Sequence, residues 1–112
     1  MHELGITRNI VAIVSDAAKG RKVRRVTLDV GELSGVMCEA IEFCFETVAK
    51  GTPLEDATLD IRRIAGRARC NDCGTEFEQA SLFASCDCGS RRVTRVRGEE
   101  LLIRSMELEE AA

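Results

Sequence analysis

Three features of the chain together predict an α+β fold, with two helices on a three-stranded sheet and a small cysteine-bearing domain inserted before the last strand. Two segments carry apolar residues at helical spacing. Three others carry them at alternate positions, and four cysteines fall in one block between the second of these and the third. Two strands under a helix pair leave a poorly supported edge, so the last strand is expected to return to the first sheet. The cysteine block is then an insertion whose two ends lie close together. On this reading residues 1–65 plus 98–112 form one domain and residues 66–97 the inserted one.

The first helix is expected over residues 3–19, where Ile6, Ile10, Ile13, Val14 and Ala17 recur at helical spacing and Gly20 supplies a stop. Period two follows over 23–30. Val26, Leu28 and Val30 face one way and Arg25, Thr27 and Asp29 the other, as in a half-buried strand. After the loop Gly31-Glu32-Leu33-Ser34-Gly35 a second helix covers about 36–50, its stripe being Met37, Ala40, Ile41, Cys44, Phe45 and Val48. Gly51, Thr52 and Pro53 end it. A second strand lies near 57–64, where Ala57, Leu59 and Ile61 alternate with Thr58, Asp60 and Arg62. The cysteine module occupies about 66–96 and a last strand 101–109.

A chain of 112 residues makes one domain or two very small ones. Hydrophobic residues at 45% suffice for a core, and with four Phe and no Trp or Tyr that core is aliphatic. The net charge of −3 gives no general pull toward nucleic acid. No apolar run is long enough to span a bilayer. Met1-His2-Glu3 lacks a basic leader region and the run Ile10–Val14 is too short for a signal core, so a cytoplasmic protein with reduced thiols is expected.

The quartet begins Cys70-Asn71-Asp72-Cys73-Gly74 and closes, after residues 75–85, with Cys86-Asp87-Cys88-Gly89. Two close pairs of cysteines, each followed by glycine, form a metal-knuckle signature. Zn(II) takes thiolates at roughly 2.3 Å in a tetrahedron, and a tight turn at each pair brings two sulfurs together. Gly74 and Gly89 suit the positive φ such turns need. The second pair is one residue shorter than is usual, so Asp87 must lie in a bend, because an extended strand would hold the two side chains too far apart. Two disulfides and a tetrathiolate iron site are the alternatives. The reducing compartment argues against the first, and the shortened knuckle beside only Phe77, Leu82 and Phe83 argues against the second.

The one histidine is residue 2. Its imidazole, its own amide nitrogen and the α-amino group of Met1 can close fused chelate rings, and planar nitrogen donors suit Ni(II) or Cu(II). A lone terminal histidine is more often simply solvated.

Met1-His2-Glu3-Leu4, Val30-Gly31-Glu32-Leu33-Ser34-Gly35-Val36, Glu42-Phe43-Cys44-Phe45 and the two knuckles occur in an order that resembles one family, HypA/HybF, the nickel metallochaperones of [NiFe]-hydrogenase maturation. The likeness covers nearly the whole chain. It implies a nickel-binding domain of two helices on a three-stranded sheet, with a zinc domain inserted before the last strand. It also implies nickel ligands at His2 and the backbone nitrogens around it, with Met1 and Glu3 alongside, and structural zinc on Cys70, Cys73, Cys86 and Cys88. Such proteins pass Ni(II) to the hydrogenase large subunit together with a HypB-type GTPase, and some serve urease maturation. In the family the second knuckle normally has two residues between its cysteines; here Asp87 stands alone. Some members add a second histidine to the nickel site. This chain has none, which leaves backbone, carboxylate, water or a partner as the fourth donor.

Other candidates read more plainly. Cys44 is expected in the core and Cys38, near the start of the second helix, without a role. Glu39, Glu42 and Glu46 form the wet face of that helix or a partner surface. Arg62, Arg63, Arg67, Arg69, Arg91, Arg92, Arg95 and Arg97 crowd the module and support a rival reading, a zinc-ribbon nucleic-acid-binding or protein-interaction module. The net charge and the lack of aromatic stacking residues near the arginines stand against nucleic acid. No enzyme is expected, since the chain offers no second histidine for acid–base work, no phosphate loop and no nucleophile with an adjacent base.

Overall fold

The computed structural model describes residues 2–110. Along the chain run α1 (Glu3–Ala18), β1 (Val23–Gly31), α2 (Cys38–Ala49), β2 (Thr58–Ile64), β3 (Arg67–Cys70), β4 (Glu76–Glu78), β5 (Val93–Arg97) and β6 (Leu101–Leu108). One three-stranded sheet has the order β2-β1-β6 and a second the order β4-β3-β5. The last strand thus returns to the first sheet and pairs with β1. The chain divides into two compact units, one of residues 1–28, 37–62 and 102–112, the other of 29–36 and 63–101.

In the first unit α1 packs against α2. Val23, Val26 and Leu28 from β1, Ile10, Val11 and Val14 from α1, and Ile41, Phe45 and Ala49 from α2 are buried in its interior, together with Thr7 and Cys38. The buried face of α1 is Thr7, Ile10, Val11, Val14 and Ala18, rotated from the expected stripe; Ile13 is 58% exposed. Thr7 makes this possible because its hydroxyl donates to the Glu3 carbonyl one turn back at 2.7 Å, so the buried oxygen is satisfied. On α2 the stripe starts at Cys38, which is buried, whereas Met37 is 61% exposed at the N-cap and Cys44 is half-buried. Cys38 is therefore the core cysteine of this helix.

The second unit has three short strands where the sequence suggests only a cysteine module; at three to five residues each, they are too short for alternation to register. In β3–β4 Arg67 lies opposite Glu78 and Arg69 opposite Glu76; in β3–β5 Ala68 lies opposite Arg95, after a bulge at Arg67/Ala68. The buried side chains of this three-stranded part are Ala68, Cys70, Gln79 and Cys86. At its base Gly31, Gly66 and Gly98 touch backbone to backbone: a Cβ on Gly31 would collide with the Gly98 carbonyl, and one on Gly98 would stand 2.6 Å from the Gly66 Cα. The glycine that opens the Gly31–Gly35 loop is thus fixed by close approach.

Candidate metal centre

Two turns build the cysteine cluster. The Gly74 amide donates to the Cys70 carbonyl at 2.9 Å, and the Cys73 amide to the Cys70 sulfur at 3.4 Å. In the second turn the Gly89 amide donates to the Cys86 carbonyl at 2.8 Å and the Cys86 amide to the Ser90 carbonyl at 3.0 Å. Gly74 and Gly89 have φ of 78° and 90°, the left-handed values these turns require. Asp87 lies in the turn, which is how a pair one residue short still brings both sulfurs inward. Ser90 and Arg92 hold Asp72 from the opposite knuckle, tying the two turns together.

The four sulfurs lie within 4.8 Å of one another, Cys70 to Cys88 at 3.6 Å and Cys73 to Cys86 at 3.5 Å. A zinc tetrathiolate has sulfur–sulfur edges of about 3.8 Å, so the donor set fits Zn(II) with little adjustment. None of the six cysteines is in a disulfide. Acidity shows why a cation belongs there. The Thr75 hydroxyl and amide draw the Cys73 thiol down to about 6, and the Cys73 amide lowers Cys70. Cys86 stands at about 12, because the pull of the Cys88 amide is outweighed by lost solvent and by the surrounding sulfurs. Cys88 is raised too: the Ser90 amide lowers it, but the Cys70 sulfur and lost solvent prevail. Four thiolates do not coexist at this spacing without a cation to neutralise them. Leu82 and Phe83 are exposed, so they provide no apolar shell of the kind an iron site would want.

The N-terminal candidates are placed differently. Met1 lies outside the described residues. His2 is exposed at the N-cap of α1, with its carbonyl accepting the Ile6 amide at 3.0 Å. The Glu3 carboxylate accepts the Met37 amide at 3.0 Å, tying the start of α1 to the start of α2; that bond holds the acid below its ordinary value. Nothing in the sequence pattern points to this link. Among the described residues the cluster of metal-type donors is the four cysteines, and it includes neither His2 nor Glu3. No described helix is long and apolar enough to cross a membrane.

A helix pair on a three-stranded sheet, with a four-thiol module inserted before the last strand, defines a small metal-handling protein. A family model described as hydrogenase/urease nickel incorporation, metallochaperone, hypA matches residues 1–108. The chain is 52% identical over 111 residues to the hydrogenase maturation factor HypA of Rippkaea orientalis, covering 98% of this chain and 97% of that one. It is 46% identical over 110 residues to the factor of the same name from Geobacter sulfurreducens, covering 97% and 100%. The solution structure of the Ni metallochaperone HypA from Helicobacter pylori matches with a TM-score of 0.68 at 29% identity, over 96% of this chain and 97% of that one. The chain belongs to the HypA family of metallochaperones for nickel incorporation in hydrogenase maturation.

Proposed function

We propose that the chain carries Ni(II) on its N-terminal segment and delivers it to the large subunit of a [NiFe]-hydrogenase with a HypB-type GTPase, in the cytoplasm. Urease maturation is a second outlet of the same chemistry. In this reading residues 1–65 plus 98–112 form the nickel-binding domain. Residues 66–97 form the zinc domain, in which Cys70, Cys73, Cys86 and Cys88 hold a structural Zn(II). Bound zinc supplies a cross-link between the two knuckles, and the turns around Gly74 and Gly89 orient the sulfurs toward it.

The observation that carries the nickel assignment is the exposed His2 at the very start of α1. A helix leaves its first N–H groups without intrahelical partners, so the backbone nitrogens of His2 and Glu3 can bind a metal without breaking the helix ladder. Together with the imidazole and the Met1 amine they offer nitrogen donors to Ni(II), leaving soft thiolates to zinc. One Glu3 oxygen accepts the Met37 amide, which ties the start of α1 to the start of α2. Calorimetric nickel titrations of the untagged protein, an N-terminal fusion and His2→Ala test this. Tight binding is expected in the first and lost in the other two, with zinc content and thermal midpoint unchanged. Equal affinity in all three would place the metal elsewhere. Gel shifts with mixed duplexes at about 150 mM salt test the rival reading, and sequence-dependent retention would favour it.

A further inference from the structure

We propose that the tip of the Gln79–Cys86 loop is a docking site for an acidic segment of another protein that brings an apolar side chain. The loop carries Leu82 and Phe83 at 52% and 90% exposure. A module whose buried set is Ala68, Cys70, Gln79 and Cys86 would gain by folding an aromatic ring inward, yet here the ring is held out. The turn is built to hold it. The Ser81 hydroxyl accepts the Phe83 amide at 3.3 Å, and the Ala84 amide donates to the Ser81 carbonyl at 3.2 Å.

Beneath the turn, Gln79 is fully buried. Its side-chain nitrogen donates to the Ala84 carbonyl at 3.5 Å, its side-chain oxygen accepts Arg95 at 3.1 Å, and its amide donates to the Gly66 carbonyl at 2.8 Å. One buried amide therefore fastens the far side of the turn to the base of the module, so Leu82 and Phe83 stand on a pre-organised support.

Next to them is a hollow of about 420 Å³ lined by Leu82, Phe83, Ala84, Arg91 and Val93. Four of its five lining residues are apolar and the fifth is Arg91. Arg92 pairs with Asp72 and Arg95 with Glu99, but among the described residues no carboxylate lies in ion-pair range of Arg91. An apolar hollow edged by one such cation is complementary to a carboxylate next to an aliphatic or aromatic side chain. The start of the chain's own acidic end is anchored within the first unit. Leu108 is half-buried in β6, and the Glu109 amide is bonded to the Lys22 carbonyl at 2.8 Å.

The test uses the full chain, ¹⁵N-labelled, loaded with zinc and free of nickel, so that its outcome is independent of the nickel site. The probes are the peptide acetyl-Glu-Glu-Leu-Leu-Asp-Glu-amide and a counterpart with every acid replaced by Lys. The acidic peptide is expected to shift the amides of Leu82, Phe83, Ala84, Arg91 and Val93, and the basic one to leave them unmoved. Phe83→Ala should weaken binding at least about tenfold. Arg91→Glu should transfer the preference to the basic peptide. Both changes are at exposed positions, so zinc content and the rest of the spectrum serve as controls for folding. No shift at millimolar acidic peptide, equal response to the two peptides, or unchanged affinity in Phe83→Ala would overturn the proposal. So would concentration-dependent self-association, or pelleting with phosphatidylserine vesicles, that Phe83→Ala abolishes.

Discussion

The two units reach a fixed structure by opposite means. In the first, α1 and α2 set Ile10, Val14, Ile41 and Phe45 against Val23, Val26 and Leu28, and burial of apolar area supplies the stability. In the second, the three-stranded part buries no apolar side chain larger than Ala or Cys, beside a single glutamine. Four sulfurs stand where large side chains would normally meet. A domain of this size rarely folds on so little interior without a staple, and a metal is the staple its donors suit. The contrast teaches that high cysteine content here marks a missing core, not a redox device.

Breaking the staple should have the largest effect. Structural zinc contributes on the order of 10–16 kcal/mol of binding free energy near neutral pH in small modules, so Cys70→Ser or Cys86→Ser should release the zinc and unfold the module. The helical signal from α1 and α2 should survive in far-UV circular dichroism. Zinc retained in both variants would sink the four-thiolate assignment, and Cys88→Ser examines the short knuckle by itself.

An intermediate effect is expected on the other side of the comparison. Leu28 is fully buried in the central strand, and Leu28→Ala should cost about 2–5 kcal/mol in chemical denaturation. Zinc content per chain should not change. If zinc were lost in parallel, the two units would be folding as one, and the contrast drawn above would fail.

The smallest effect belongs to the surface. Lys22 bonds to Asp56 at 3.1 Å, and this bond is the main reason its ammonium is held above 10.5. A raised value means that the contribution is full below pH 10.5 and is lost as pH rises through the raised value. Both side chains are largely exposed, so Lys22→Met should lower the thermal midpoint only slightly. The shift should be constant between about pH 6 and 9, and any pH dependence of the difference in that window would point to another group.

The broad architecture was legible because its signals are long. Val26, Leu28 and Val30 read as a strand at once, and the knuckles announce themselves by spacing. Finer facts were not. The buried face of α1 is rotated from the apolar stripe because Thr7 hides its hydroxyl in its own helix, and no apolar pattern reports that bond. Cys38 and Met37 exchanged expected places for a similar reason: where α2 begins is set by its packing and by the Glu3 carboxylate on the Met37 amide. The exposure of Phe83 has no sequence signal, since proximity to the cysteines cannot show that a turn points outward. The buried Gln79 carried no signal either, because a polar residue between Glu78 and Ala80 looks like any loop position.

The backbone contact between Gly66 and Gly98 bears on the order in which the chain folds. The central strand β1 is made early, and β6, which it needs as a neighbour, is made last. Closing a flexible connection as long as residues 65–100 costs chain entropy before any sheet bond is gained. Once the module has gathered its sulfurs around zinc, its two ends are already side by side. The connection from β2 to β6 then behaves like a short turn. Availability of zinc during synthesis would then set how quickly the helical unit acquires its last strand, even though that unit contains no zinc ligand.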